Sequence, residues 1–280
     1  MRLKPRYNPE VNQWWMCDEG RYAYKAIDEN RITQVQVRNG TGLRQASWDE
    51  ALGVVANALH QLRASHQLDR VGVILSTYLT NEGLYVAKRL FQAFGVRNIT
   101  VQGPSRPGSS DQFLIQADKS PNTRGAHALG LSFSSASLLE QAGRGELSVL
   151  YVFGHDLLEV YGALAVDEAI PTLRLLAFQG PHVNGSCRVA HVILPSAVYA
   201  EQDGTFTNCQ GRVQRIHPAV APLGEAKADW QILLELARRL DLTLDFSDAS
   251  AIFNELAAQE SAFAGLTYEQ LGDQGALLRC

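Results

Sequence analysis

Apolar residues along this chain follow two alternating rhythms, short continuous runs and longer stretches at helical spacing. Residues 71–75 are an unbroken apolar run of the length of a strand buried on both faces, and residues 147–153, LSVLYVF, read as another strand. Residues 172–178 and 189–194 read as further strands, and a short one is expected at 99–101. Residues 32–38 alternate apolar and polar, as a half-buried strand does, and Asn39-Gly40 ends them in a turn. Between these runs the period lengthens. Leu52, Val55, Leu59 and Leu62 share one helical face; so do Leu84, Ala87, Phe91 and Phe94, and later Trp230, Leu233, Ala237 and Leu240. Ser47-Trp48-Asp49-Glu50 is a capping-box pattern before the first of these helices, and Gly95 stops the second. Another helix is expected over 157–168. Strands alternating with helices predict an α/β fold of open, mostly parallel sheets with flanking helices and right-handed crossovers. Residues 1–30 and 102–130 fit neither rhythm and are expected to be irregular.

The polar stretch 199–214, YAEQDGTFTNCQGRVQ, lies where strand patterning gives way to helix. Asp203-Gly204 is a turn dipeptide, 205–207 suits a short extended piece, and Gly211 is a second point where backbone can pass close to something, so a hairpin is expected. One reading makes Glu201, Asp203, Asn208 and Arg212 a hydrogen-bonded corner that supports a buried loop. The other sets the same groups against a ligand. A second candidate region follows the strand at 147–153, where Gly154-His155-Asp156 stands beyond a strand's carboxyl end, the place where open α/β sheets bind ligands. No G-x-G-x-x-G fingerprint accompanies it, and His155 is expected at a solvent edge or an interface rather than as a catalytic base.

Composition narrows the field. At 280 residues, with 46% hydrophobic and 19% charged positions and a formal net charge of -4, the chain is that of a soluble globular protein without a nucleic-acid footprint. No apolar run reaches the roughly 18 residues of a membrane span, and the first residues lack the apolar core of a signal peptide, so direct membrane insertion is not expected and a cytoplasmic location is. Cys17, Cys187, Cys209 and Cys280 show no C-x-x-C spacing and read neither as a disulfide framework nor as a self-contained metal site.

The run 190–230, AHVILPSAVYAEQDGTFTNCQGRVQRIHPAVAPLGEAKADW, resembles the molybdopterin oxidoreductase superfamily, which includes formate dehydrogenase catalytic subunits and one subunit of NADH-quinone oxidoreductase (complex I). It keeps Glu201, Gly204, Thr205, Asn208, Gly211, Arg212, Gln214 and Trp230 of the family pattern and departs at His191, where Asp is usual. The stretch RLKPRYNPEVNQWWMCDEGRY is similar to the family segment that carries the last of four cysteines around a [4Fe-4S] cluster. The other three would fall before Met1, so Cys17 is either the fourth ligand of a cluster shared with another polypeptide or a relic among aromatics. ASWDEAL, at 46–52, and ADKSPNTRGAHALGL, from Ala117, continue the likeness.

The resemblance implies three parts: a cluster-domain remnant with a strand at 1–46, a truncated second family domain at 47–135, and a third family domain with C-terminal helices at 136–280. It also implies losses. The loop after the 99–101 strand reads GPSRPGSSDQF, with no Cys or His and only Arg106 as a basic group, where the family commonly brings its metal ligand. The large middle portion and the final barrel-like domain of the catalytic enzymes have no counterpart here. The expectation is therefore a vestigial pterin crevice at Gly154, Asp156, Asn208 and Arg212, no catalytic residues, no molybdopterin, and no cofactor held by this chain alone, with a [4Fe-4S] cluster only if shared. The role implied is a scaffold subunit beside the iron-sulfur chain of a respiratory or NADH-linked complex, with an iron-sulfur subunit near the N-terminus. The likeness is greatest to the C-terminal half of the family-related subunit of complex I. The alternative is a catalytic formate-dehydrogenase-like oxidoreductase or a part of one.

Overall fold

The structure, a computed structural model, describes residues 3–40, 42–104, 108, 110 and 117–279. Its elements in chain order are α1 (Asp18–Tyr22), β1 (Gln36–Asn39), β2 (Gly42–Gln45), α2 (Trp48–Ala64), β3 (Val71–Ser76), α3 (Asn81–Phe94), β4 (Asn98–Gln102), α4 (Thr123–Ala128), α5 (Ser135–Gly143), β5 (Val149–Phe153), α6 (Leu157–Tyr161), α7 (Ala163–Ala169), β6 (Leu175–Gly180), α8 (Gly185–Val189), β7 (Val192–Pro195), β8 (Gly204–Thr207), β9 (Arg212–Ile216), α9 (Asp229–Arg239), α10 (Ala249–Gln259), α11 (Tyr268–Leu271) and β10 (Ala276–Leu277). The first seven strands form one sheet in the order β2-β1-β7-β6-β5-β3-β4, and the last three form a second in the order β10-β9-β8.

Within the large sheet β3 to β7 are mutually parallel, while β1 runs antiparallel to both β7 and β2. The chain leaves β3 for β4 on one side, then returns past β3 to β5 and builds outward to β7. That reversal puts a topological switch point between β3 and β5, the position where sheets of this order open a crevice. Strand pairing also crosses the boundary expected at 135/136, since Val71 of β3 stands opposite Val149 of β5 in a single sheet.

The continuous apolar runs are explained by helices on both faces of the sheet. Val73, Leu75, Tyr151 and Phe153 point to the side covered by α2, α3 and α9, where they meet Leu52, Val55, Leu59, Leu84, Phe91 and Leu233. Ile74, Leu150 and Val152 point the opposite way, to Leu138, Leu139, Leu157 and Val166 of α5, α6 and α7. Alternate strand residues thus feed two cores, and the few buried polar positions in the strands, such as Gln179 of β6, sit near their carboxyl ends and find partners there.

Four local expectations are corrected. The helix anticipated over 157–168 is two helices, because Gly162 takes φ +83° and turns the chain between α6 and α7. The hairpin turn lies at 208–211 rather than at Asp203-Gly204: Gly211 has φ +81°, and Asn208 accepts from the amides of Gln210 and Arg212 at 3.0 and 2.9 Å. The capping box before α2 is half made, with Ser47 accepting from the Glu50 amide while the Glu50 carboxylate turns to Arg44. The first strand begins at Gln36 rather than at residue 32, and the segment before it holds α1 and a further short turn of helix. Most of the loop 102–113, Arg106 included, and Cys280 lie outside the described residues.

Candidate functional site

At the switch point the strands β3 and β5 end in Ser76 and Phe153, and the chain continues into Thr77-Tyr78 and Gly154-His155-Asp156. Gly154 adopts φ +64°, which lets the chain leave β5 sharply, and its amide donates to Gln179 O at 2.8 Å. His155 is buried, not at a solvent edge. Its Nε2 lies 3.2 Å from Leu75 O, and burial lowers its pKa to about 4, which keeps the imidazole neutral near pH 7. Asp156 caps α6 and reaches across to α8: one carboxylate oxygen accepts from Leu158 N and Glu159 N at 3.0 and 3.1 Å, the other from Gly185 N at 2.8 Å. Ser186 completes the joint by donating to His155 O at 2.6 Å and accepting from Leu157 N at 2.8 Å.

Next to this crevice the first turn of α3 grips the edge of the small sheet. Glu82, fully buried, accepts from Thr205 N at 2.8 Å and from the Thr205 hydroxyl at 2.9 Å. Asn81 donates to the Thr205 and Thr207 hydroxyls at 2.9 and 3.0 Å, and Asn122 accepts from Thr207 N at 2.9 Å while donating to Leu79 O. Side-chain oxygens therefore receive the amides that edge strand β8 would otherwise leave open, and β8 is closed to a further strand. Burial pushes the Glu82 carboxyl up to about 7. Gly204 is required here for closeness rather than for a turn, since a Cβ would stand 2.7 Å from Thr80 Cγ2 and 3.0 Å from Glu82 Oε2.

Glu201 belongs to a third arrangement. It forms a two-pronged salt bridge with Arg31 at 2.7 and 2.8 Å, both side chains being 1–2% exposed, and also accepts from Val198 N and Leu223 N. Arg31 in turn donates to Ile27 O and Pro181 O. One ion pair thereby ties the N-terminal segment, the end of β6 and the loop after β7 together.

The four residues expected around one crevice are divided between two sheets. Gly154 and Asp156 stand at the switch point, whereas Asn208 closes the β8–β9 turn and Arg212 bonds Gly275 O at 3.1 Å and the Glu10 carboxylate. Asp203 pairs with His217 at 3.1 Å, away from both. Cys17 is exposed just before α1, its sulfur accepting from Gly20 N at 3.2 Å, and the neighbouring Trp14 and Trp15 are 68% and 80% exposed. Among the described residues no three His, Cys, Asp or Glu side chains gather as a metal would require, and no helix is long and apolar enough to cross a membrane. Sequence reading missed Arg31, Asn81, Glu82 and Asn122. Asn81 and Glu82 carried one signal, being polar in the first turn of a helix whose remaining face is apolar.

A profile of the family described as molybdopterin oxidoreductase matches residues 31–123 and 120–239. The chain belongs to this family. Relatives include the F420-dependent formate dehydrogenase 2 subunit alpha of Methanococcus maripaludis, 35% identical over 153 residues, which is 54% of this chain and 22% of that protein. The NADPH-Fe(3+) oxidoreductase subunit alpha of Geobacter sulfurreducens is 37% identical over 130 residues, 46% of this chain and 15% of that protein. The match thus spans less than a quarter of each relative's length. Acetylene hydratase from Pelobacter acetylenicus shares the fold, with a TM-score of 0.65 at 10% identity over 98% of this chain and 70% of that one.

A family cofactor of pterin dinucleotide type would need cations or free amides at the crevice to meet its phosphates. The loops after β3, β5 and β6 (77–80, 154–156 and 181–184) contain no Lys or Arg. Their carboxylate, Asp156, is bound to three amides of its own chain. These described side chains do not fit such a group.

Proposed function

We propose that this chain is a non-catalytic scaffold of an NADH-linked redox complex, similar in role to the C-terminal half of the family-related subunit of NADH-quinone oxidoreductase. The observation that carries this reading is the employment of the polar groups at the carboxyl ends of the strands. His155, Asp156, Glu82 and Glu201 all bond to backbone or side chains of neighbouring elements, so the chemistry-bearing residues of the rim hold loops together. A general acid or base must instead reach a reacting atom within hydrogen-bond distance. The loop after β4 adds a sequence argument, since 103–116 offers neither Cys nor His to a metal. Exposed Cys17 with Trp14 and Trp15 supports a contact with an iron-sulfur partner, where one thiolate from this chain would complete a set supplied from elsewhere. The cytoplasmic side of a membrane complex suits a chain with no membrane-crossing helix among its described residues.

A second reading, part of a catalytic formate-dehydrogenase-like oxidoreductase, is favoured by the names of the curated relatives. Isolation of the chain from its host under native conditions, with its partners, separates the two. The scaffold reading expects iron-sulfur subunits of an NADH-linked complex to co-purify and formate-dependent dye reduction to be absent. Formate turnover that follows this chain through purification would overturn it.

A further inference from the structure

Asparagine followed by glycine occurs twice in this chain, at 39–40 and at 184–185, and the two pairs stand in opposite surroundings. Such a pair can close on itself, because the glycine amide nitrogen can attack the asparagine side-chain carbonyl and glycine has no side chain to obstruct the approach. Whether it does so depends on the freedom of that nitrogen, of the side-chain amide and of the backbone between them.

At 184–185 all three are held. Asn184 caps α8 by accepting from Ser186 N at 3.0 Å, and the Gly185 amide donates to the Asp156 carboxylate at 2.8 Å. Gly185 is also hemmed in, since a Cβ there would collide with Asp156 and stand 3.0 Å from Leu158 Cβ. At 39–40 the reverse holds. Asn39 ends β1, both residues are exposed, and among the described residues neither the Asn39 side chain nor the Gly40 amide makes a hydrogen bond. Nothing lies within 4 Å of where a Gly40 Cβ would be. The strand beyond, β2, is the outermost of its sheet, four residues long and exposed over its second half, so this end of the hairpin opens at little cost.

We propose that Asn39 is a site of spontaneous deamidation and that the fold protects Asn184 from the same reaction. The Gly40 nitrogen bonds to Asn39 Cγ and gives up its proton, the bond from Cγ to the side-chain nitrogen breaks, and ammonia leaves a succinimide ring. Water then opens the ring. Attack at the side-chain carbonyl gives aspartate; attack at the main-chain carbonyl gives isoaspartate, whose backbone runs through the former side chain and is one methylene longer. Each event adds one negative charge to the formal net charge of -4, and isoaspartate lengthens the turn between β1 and β2. This chemistry is the same whether or not the chain is a scaffold.

Incubation of the intact folded chain in mildly alkaline buffer, followed by peptide mapping by mass spectrometry and by enzymatic methylation of isoaspartate, tests it. The peptide carrying Asn39 is expected to gain about one dalton and to divide into aspartate and isoaspartate forms. Its rate should exceed that of the Asn184 peptide by about tenfold or more, because the second pair must first break the Gly185–Asp156 bond and the α8 cap. In concentrated urea the two rates should converge. Asn39→Gln keeps the glycine but requires a larger ring, and should abolish the gain in a chain that folds as before, since the Asn39 side chain bonds to nothing described. An unmodified Asn39, equal rates at the two sites in the folded chain, a difference that persists in urea, or a gain that survives in the glutamine variant would overturn the assignment.

Discussion

Two buried glutamates hold two loops of this protein in opposite ways. Glu201 meets a guanidinium, Arg31, across 170 residues of sequence and ties three segments through a two-pronged ion pair. Glu82 meets no cation among its bonded partners; it is held by the amide and hydroxyl of Thr205, and burial moves its proton affinity into the neutral range. A buried carboxylate thus joins segments either by charge neutralisation or by hydrogen bonds alone. The first joint fails when a partner is removed, and the second also responds to pH.

Removing one partner from the ion pair should have the largest effect. Glu201→Ala or Arg31→Ala should cost about 3–5 kcal/mol, because each leaves the other charge buried and unpaired. Chemical denaturation measures this, and a loss below about 1 kcal/mol would mean that water or a rearranged loop takes the vacant place.

At Glu82 the pH dependence is the discriminating quantity. Its carboxyl moves from an ordinary 4.5 to about 7 on folding, so the folded protein keeps a proton that the unfolded chain releases. The stability it contributes is complete below pH 4.5, falls as pH rises, and is gone above about pH 7. The span corresponds to about 3 kcal/mol. Glu82→Gln should abolish this contribution, most visibly between about pH 6 and 7, in denaturation series run across that range. A contribution of the same sign and similar size should remain below about pH 6 from Asp229, which burial raises from 3.8 to about 6 despite its 2.7 Å bond from Gln179. An unchanged profile in the glutamine variant would place the titration elsewhere.

Two smaller effects sharpen the local picture. Gly204→Ala should destabilise by about 1–3 kcal/mol through overpacking against Thr80 and Glu82, whereas Gly211→Ala should cost less and act through its left-handed backbone alone. Asn208→Ala should cost about 1–2 kcal/mol by freeing the amides of Gln210 and Arg212, with no effect on any ligand. Thermal melting of the three variants side by side checks the order, and a Gly211→Ala loss exceeding that of Gly204→Ala would reverse the roles given to the two glycines.

Much of the fold was legible because it rests on local periodicity. Val71 to Leu75 and Val149 to Phe153 are apolar at every position since both faces of their sheet are covered, and Leu52, Val55, Leu59 and Leu62 mark the buried side of α2. What was not legible depends on which distant segments meet. Nothing near Arg31 signals Glu201, and nothing within the 47–135 segment signals that β3 would pair with β5 beyond it. The two glycines of 199–214 both stand out in the sequence, but their uses are the reverse of those expected: the one beside Asp203 is needed for a neighbour 2.7 Å away, and the one beside Arg212 for a positive φ. Gly162 is inconspicuous inside a run of helix formers, and it splits that run into α6 and α7. At the candidate site the residue types were legible and their orientation was not. Asp156 looks from sequence like a group facing a crevice, and its carboxylate faces its own backbone.

On the scaffold reading proposed above, the rim of this family member holds structure rather than a pterin-bound metal. The most direct test is the molybdenum, tungsten and pterin content of the natively isolated complex, by elemental analysis and by fluorescence of oxidised extracts, per mole of this chain. The account predicts values far below one for all three; one metal and a matching pterin complement in each copy, lost together when Asp156 is changed to Asn in a protein that still folds, would contradict it.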